Sequence, residues 1–541
     1  MSETSSYSGT YFTTSTQESV PTYRWIFHGN IVVPTGNPFR STSDDNDDGD
    51  DATRSFSQQQ QQQSPTSPSS SSSSSSVIWL GPGLKLCRRH VLAVDYDGKI
   101  AHFSHQDNFD THLFKKRNYV RLGRREFLVP GFIDLHIHAP QFAYTGTATD
   151  RPLMGPNGWL ETYTFPSESS LKDNLAKAHQ VYETAVKTTL QSGTTTACYF
   201  ATLDVDPCKV LVDVALNLGQ RALVGKVCMD RNSPDSYCQD TKQNISETRE
   251  LIEYIHRKAG REDKGNLVLP IVLPIVTPRF IPTCSPELLS ELGAMARHYG
   301  CHIQSHISES IDEVEFSLAL DQVDHKEGST RTDATIFDSH GLLSDRCIMA
   351  HGVHLNDQDL DLLRQRGTAV AHCPLSNFFF AGGNLSCRKL MTIGNKVGLG
   401  TDVAGGYSPS MMNSSRMAVV AAKSQGFVEQ EKEKTKEQQG TADTDSICET
   451  DMDWRHAFYL ATLGGAEALG LSHRIGTFAV GMELDAFVLS ASVRSPVVVF
   501  DTDTVPDIFQ KLCTNGDDRN VKRVFVQGRE VMKDGMVLYE I

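Results

Sequence analysis

His136, His138, His306, His351 and Asp402 each close a short apolar run, and these runs are scattered over more than half of the chain. A fold that gathers polar groups from strands so distant in sequence is the (β/α)8 barrel, whose active residues come from the C-terminal ends of several parallel strands. In Gly131-Phe-Ile-Asp-Leu-His-Ile-His138 the two histidines lie two apart on a predicted strand. Side chains at that spacing project to one side, so both imidazoles reach a common metal ion. A His-x-His alone carries little weight in a chain with 19 histidines. Order and context add it: Cys301 to His306, Arg346 to His351 and Val397 to Asp402 each end an apolar or alternating run in a possible ligand.

From about Pro130 to Ser472, apolar strands alternate with amphipathic helices, the mark of β/α architecture. In one unit Ser170 predicts an N-cap, Leu171, Leu175, Ala178, Tyr182, Ala185 and Val186 mark one helical face, and Gly193 ends the helix before the strand Thr194 to Phe200. Further strands are read at Ala222 to Met229, Leu267 to Val276 and Ala369 to Cys373, which with the ligand-ending runs complete a barrel. Strand-like runs also occur at Tyr23 to Pro34 and Val77 to Ser104, and again at Leu484 to Ser490, Val497 to Phe500, Val521 to Val526 and Met536 to Tyr539. They predict a small β-sandwich domain built from both termini. The organisation expected is a disordered segment 1–22, sandwich parts at 23–129 and 473–541, and a barrel at 130–472. Two insertions, the Asp-, Gln- and Ser-rich 41–76 and the charged 429–446, are too polar to bury a core and are read as disordered.

A net charge of −15 and a pI near 5.7 disfavour nucleic acid or an anionic membrane as partner. The 12 cysteines include no Cys-x-x-Cys, which argues against a disulfide framework and an all-cysteine zinc site. With no apolar leader core and no apolar stretch of about 18 residues, the expectation is a soluble cytosolic protein.

Three imidazoles and a carboxylate suit zinc, and iron accepts a similar set. Such a metal with an open position lowers the pKa of coordinated water from about 15.7 to about 7 and so supplies a nucleophile. Glu309, three residues after His306, is the candidate proton shuttle; the plainer alternative is an acid in the first turn of the next helix. Asp402 is able both to bind the ion and to hold the proton of the water. His351 either binds the ion or hydrogen-bonds its water, and both readings stand. The aromatic stretch Ala139 to Ser169, with Tyr144, Trp159, Tyr163 and Phe165, is read as a cover over the pocket or as packing against a neighbouring subunit.

Val129-Pro-Gly-Phe-Ile-Asp-Leu-His-Ile-His138, Gln304-Ser-His-Ile-Ser-Glu309, Ala350-His351-Gly352 and Gly400-Thr-Asp402 resemble the amidohydrolase superfamily of metal-dependent (β/α)8 hydrolases. Ala461 to Gly470, followed by Ile475 to Gly481, is similar to the segment by which those enzymes return to their β-domain. His136-Ile-His-Ala-Pro-Gln141, Trp159-Leu160 with Tyr163-Thr-Phe-Pro166, Gly219 to Asp230 and Thr277-Pro-Arg-Phe280 resemble the guanine deaminases within it. The resemblance implies hydrolytic deamination of guanine to xanthine and ammonia, one zinc per subunit and a homodimer. It implies metal ligation by His136, His138, His306 and Asp402, and catalysis by Glu309, Asp402 and His351. It implies purine contacts from Gln141, Arg279 and Phe280, with His138, His306, Glu309 and Asp402 also lining the substrate. A site that hydrogen-bonds the 6-carbonyl is expected to reject adenine by leaving Arg279 unpaired.

Binuclear relatives carry a carboxylated lysine at the end of strand four, and Val272 to Pro278 offers none, so one metal is preferred. The alternative zinc deaminase fold needs Pro-Cys-x-x-Cys, which is absent. The competing functions are deamination or hydrolysis of another heterocycle, against which Gln141 and Thr277 to Phe280 stand, and a non-catalytic scaffold, against which the filled site positions stand. The terminus Tyr539-Glu-Ile541 faintly resembles a strand-adding PDZ ligand, with closure of the terminal sheet as the simpler reading.

Overall fold

The computed structural model describes residues 23–39, 75–115, 118–147, 149–155, 157–259, 262–263, 266–267, 270–325, 331–438, 452–491 and 495–539. Parallel strands Phe132–His138, Thr194–Phe200, Arg221–Gly225, Val272–Pro278, His302–Ile307, Cys347–His351, Ala369–His372 and Lys396–Leu399 stand side by side in chain order. The predicted (β/α)8 barrel is therefore present. Beyond the paired strands, the amide of Asp402 donates to the carbonyl of His136 (2.8 Å) and that of His138 donates to the carbonyl of Val403 (3.1 Å), closing the ring between the last strand and the first. These strands are buried along almost their whole length because helices cover them outside while side chains fill them inside. Ile133, Leu135, Cys198, Leu223, Ile275, Ile348, Ala369 and Ala371 form one buried cluster with Leu469, Leu471 and Ile475.

Ten strands from both ends of the chain form a second, mostly antiparallel sheet. Glu126–Pro130 joins the halves, pairing with Trp25–Pro34 on one side and Ala486–Ser490 on the other. Its core includes Phe27, Ile31, Leu92, Val94, Leu128, Leu484, Val488 and Phe525. Arg221, at the start of the third barrel strand, pins this sheet to the barrel: buried with Asp485 and Glu483, it donates to them at 2.7 and 2.8 Å.

Several boundaries differ from the sequence reading. The helix Leu175–Gln191 is capped by Asn174, whose Oδ1 accepts the amide of Lys177 at 3.0 Å, not by Ser170. The Ser170 hydroxyl instead donates to the carbonyl of Ser167, finishing the preceding short helix. The fourth barrel strand begins at Val272, while Asn266–Leu267 pairs with Glu262–Asp263 in a separate hairpin. Val497 to Phe500 is not a strand, and a helix, Val505–Asn515, follows it; its capping box at Thr504 and Asp507 was the overlooked signal. The helix Met411–Gln438 runs into the charged stretch expected to be disordered from 429, as its Glu, Lys and Gln residues favour helix. Segment 1–22, nearly all of 41–76, the rest of 429–446 and the last two residues lie outside the described residues.

Candidate active site

Three of the strand ends that carry the polar residues turn sharply. Ser308, His351 and Asp402 adopt positive φ, at 45°, 73° and 48°. Non-glycine residues hold that conformation only where surroundings fix it, and such positions cluster at functional sites. Ser308 is fixed by Asp333, which accepts its amide (2.9 Å) and its hydroxyl (3.0 Å). Asp402 is fixed by the hydrogen bond its amide donates to the carbonyl of His136 and by its neighbour Thr401, whose amide (3.0 Å) and hydroxyl (2.6 Å) both donate to Asp134.

These turns bring the predicted ligands together. Ligand atoms of His136, His138 and Asp402 lie within 4.8 Å of one another, as do those of His136, His306 and His351, and those of Glu309, His351 and Asp402. Asp402 Oδ1 is 3.1 Å from His136 Nε2 and 3.4 Å from His138 Nε2. His138 Nε2 is 3.1 Å from His306 Nε2. Donors about 2.0–2.1 Å from a shared tetrahedral centre stand about 3.3 Å apart, so this spacing fits a zinc-sized cation. Hydrogen bonding agrees. His306 Nδ1 donates to the carbonyl of Arg279 (2.6 Å) and His351 Nδ1 to Asn377 Oδ1 (2.9 Å), which leaves the Nε2 lone pair of each turned inward. His136 Nε2 and His351 Nε2 are buried without a hydrogen-bond partner among the described residues.

Burial drives all four imidazoles toward the neutral form: His138 falls to about 4, and His306 is held well below the usual range by burial and by His136 and His138. Burial would raise Asp402, but His136, His138 and His351 outweigh it and keep the carboxylate ionised. Neutral imidazoles and an anionic carboxylate are the protonation states that bind metal. Glu309 is the opposite case. Burial and the charge of Asp402 push its carboxyl well above the usual range, and it lies 3.6 Å from His351 Nε2.

The other predicted site residues converge beside this cluster. Arg279 is buried, and its side chain is not free: Nη1 and Nη2 donate to Glu168 at 2.8 and 3.4 Å. The expectation that adenine would leave Arg279 unpaired is therefore corrected, because a carboxylate already faces it. Gln141 donates through Nε2 to the same Glu168 (2.8 Å) and accepts the amide of Ala404 at Oε1 (3.2 Å). Phe280 is buried with its ring 6.3 Å from that of His306. Between Ala139 and Ser169 the Trp159 ring packs at a tilt, 4.9 Å from that of Phe380, and the helix Phe165–Ser169 carries Glu168 to Arg279.

Sequence reasoning missed Glu168, Asp134, Asn377 and Tyr237. Asp134 was legible, since it shares strand parity with His136 and His138. Glu168 lies two residues beyond the Tyr163-Thr-Phe-Pro166 string, and only packing shows that it faces Arg279.

A model of the amidohydrolase family matches residues 127–531. The guanine deaminase of Dictyostelium discoideum is 39% identical over 455 residues, covering 82% of this chain and 93% of that protein. The human guanine deaminase is 38% identical over 465 residues, covering 84% and 94%. Among solved structures, guanine deaminase from C. acetobutylicum with guanine bound in its active site superposes with a TM-score of 0.71 at 27% identity, covering 94% of this chain and 100% of that one. With the matched model spanning most of the sequence and the ligand cluster at the barrel mouth, the chain belongs to the amidohydrolase family.

Proposed function

We propose that the protein is a hydrolase that replaces the 2-amino group of guanine with oxygen, giving xanthine and ammonia. The observation that carries this reading is the meeting, at one barrel mouth, of a metal-binding cluster, a proton-holding carboxyl and the Arg279–Gln141 pair, in a chain similar over most of its length to guanine deaminases. His136, His138, His306 and Asp402 would hold one Zn2+ per subunit. When bound, the ion supplies Lewis acidity that makes water nucleophilic near neutral pH.

The chain's own residues do the rest. Gln141 and Arg279 offer N–H donors to the edge of the base and Phe280 offers a flat apolar face. Addition of water to C2 places negative charge on ring N3, and Glu309 carries a proton from the water to that atom. Asp402 takes the second proton and passes it to the amino nitrogen, so that the C2–N bond breaks with ammonia as the leaving group. His351, held by Asn377, orients the water. One metal suffices in this reading because the fourth strand ends in Thr277 and Pro278 with no lysine. No helix among the described residues is long and apolar enough to cross a membrane. A cytosolic homodimer completes the reading, checked by fractionation and sedimentation.

The test is incubation of the purified protein with guanine and with adenine, with and without a chelator. Xanthine and ammonia form from guanine alone, and the chelator stops the reaction. Turnover of another heterocycle in preference to guanine would overturn the assignment.

A further inference from the structure

Glu168 is a carboxylate with no exposed surface, on the short helix Phe165–Ser169, and it is bound on both oxygens. Oε1 accepts from Gln141 Nε2 (2.8 Å) and Arg279 Nη2 (3.4 Å); Oε2 accepts from Arg279 Nη1 (2.8 Å) and the Tyr237 hydroxyl (2.7 Å). The direction of the Tyr237 bond is set from behind, since that hydroxyl accepts the amide of Leu203 at 3.0 Å and so turns its own proton to Glu168. The Phe165 ring closes one side, 5.2 Å from the Arg279 guanidinium.

We propose that Glu168 is the positioning and charge-matching residue of the purine site, a role that rests on the guanine deaminase reading above. Two consequences follow from the geometry. The end-on pair engages two of the five N–H groups of Arg279 and fixes the plane of the others, while the same carboxylate settles which end of the Gln141 amide is the donor. One acid thus orients both groups offered to the base. Secondly, a buried guanidinium without a counter-ion would draw an anionic ligand, whereas the Glu168–Arg279 pair is neutral overall. The pocket then presents donors without net charge and selects an uncharged purine over an anionic one.

The test compares wild type with Glu168→Gln, which keeps size and removes charge, and with Tyr237→Phe, which removes one donor. For Glu168→Gln we expect zinc content unchanged, KM for guanine raised at least tenfold and kcat within threefold of wild type. We also expect affinity for urate, an anion at neutral pH, to rise at least tenfold relative to neutral hypoxanthine, read by calorimetry. Should Glu168→Gln fail to fold, Tyr237→Phe carries the same measurements, with shifts of about threefold expected. An unchanged urate-to-hypoxanthine ratio, or a loss confined to kcat and zinc, would overturn the role. Absence of xanthine from the wild type would sink the deaminase reading alone, because the calorimetric ratio needs no turnover.

Discussion

Glu309→Gln isolates proton transfer from folding and from metal binding. No side-chain donor binds the Glu309 carboxyl among the described residues; its recorded hydrogen bond is from the backbone, whose amide donates to Glu313 at 2.6 Å. An isosteric amide therefore breaks no hydrogen bond, and it removes the repulsion that Asp402 imposes on a charged Glu309. Stability should stay within about 0.5 kcal/mol of wild type, the range of substitutions that disturb no packing or bonding. Turnover should not. Loss of a positioned general acid–base costs about 10²–10⁴-fold, or about 2.7–5.4 kcal/mol at about 1.36 kcal/mol per tenfold. The assay is initial-rate xanthine formation beside zinc content by elemental analysis and a thermal melt. A variant with full zinc and kcat within tenfold of wild type would remove Glu309 from the mechanism. Loss of zinc with loss of rate would mean that the carboxyl serves the ion instead.

Asn377→Ala removes the acceptor that turns His351 Nε2 inward, so activity should fall about 10–100-fold with zinc content unchanged. Initial rates beside zinc content by elemental analysis read this, and an unchanged rate would refute it. Chelation of the wild type should abolish deamination, and added zinc should restore it; restoration by no divalent ion would refute the metal site. Arg279→Ala should destabilise by about 3–5 kcal/mol, because it leaves the Glu168 carboxylate buried without its cation. A denaturant midpoint equal to that of wild type would refute this. Arg221→Ala should cost about as much, since it exposes Asp485 and Glu483 to the same penalty. Burial favours the neutral form of Glu483, yet Arg221 and Arg474 outweigh it and hold its carboxyl below the usual range. That stabilisation is present above the ordinary glutamate pKa and lost as pH falls through the depressed one, so the melting temperatures of wild type and Arg221→Ala should converge in acid. A gap that stays constant below pH 4 would refute the linkage.

What was legible in the sequence follows from which interactions are local. His136 and His138 could be paired because strand parity is a two-residue rule, and the barrel could be read because its buried strands show as apolar or alternating runs between amphipathic helices. The ligand cluster was legible for the same reason: the ligands lie at or near the C-terminal ends of four strands, and the fold itself brings strand ends together. The Glu168 contacts were not legible, because they depend on how a stretch between the first strand and its helix folds back across Arg279. The capping error at Ser170 is similar. Ser170 and Asn174 both suit an N-cap, and the choice falls to the residue whose acceptor meets Lys177 after Leu171 has turned into the core. The helix through 429–438 differs from the expected disorder for another reason: Glu, Lys and Gln are too polar to bury a core yet are good helix formers.

Arg279 shows why the two halves of the proposed site are one construction. Its carbonyl accepts His306 Nδ1 at 2.6 Å, the Ser305 hydroxyl at 3.2 Å and the His306 amide at 3.2 Å, while its side chain pairs with Glu168. The residue proposed to offer donors to the base is thus the residue whose carbonyl fixes the tautomer of the His306 imidazole. Displacing the backbone at Arg279 by a few tenths of an ångström would move both at once. A rigid strand end shared between substrate and ion is a direct way to keep the reacting carbon and the activated water in register, since misplacement of even about 1 Å costs about 10²-fold in rate. The helix Phe165–Ser169 adds a further constraint, because its Glu168 binds that side chain and Gln141 together.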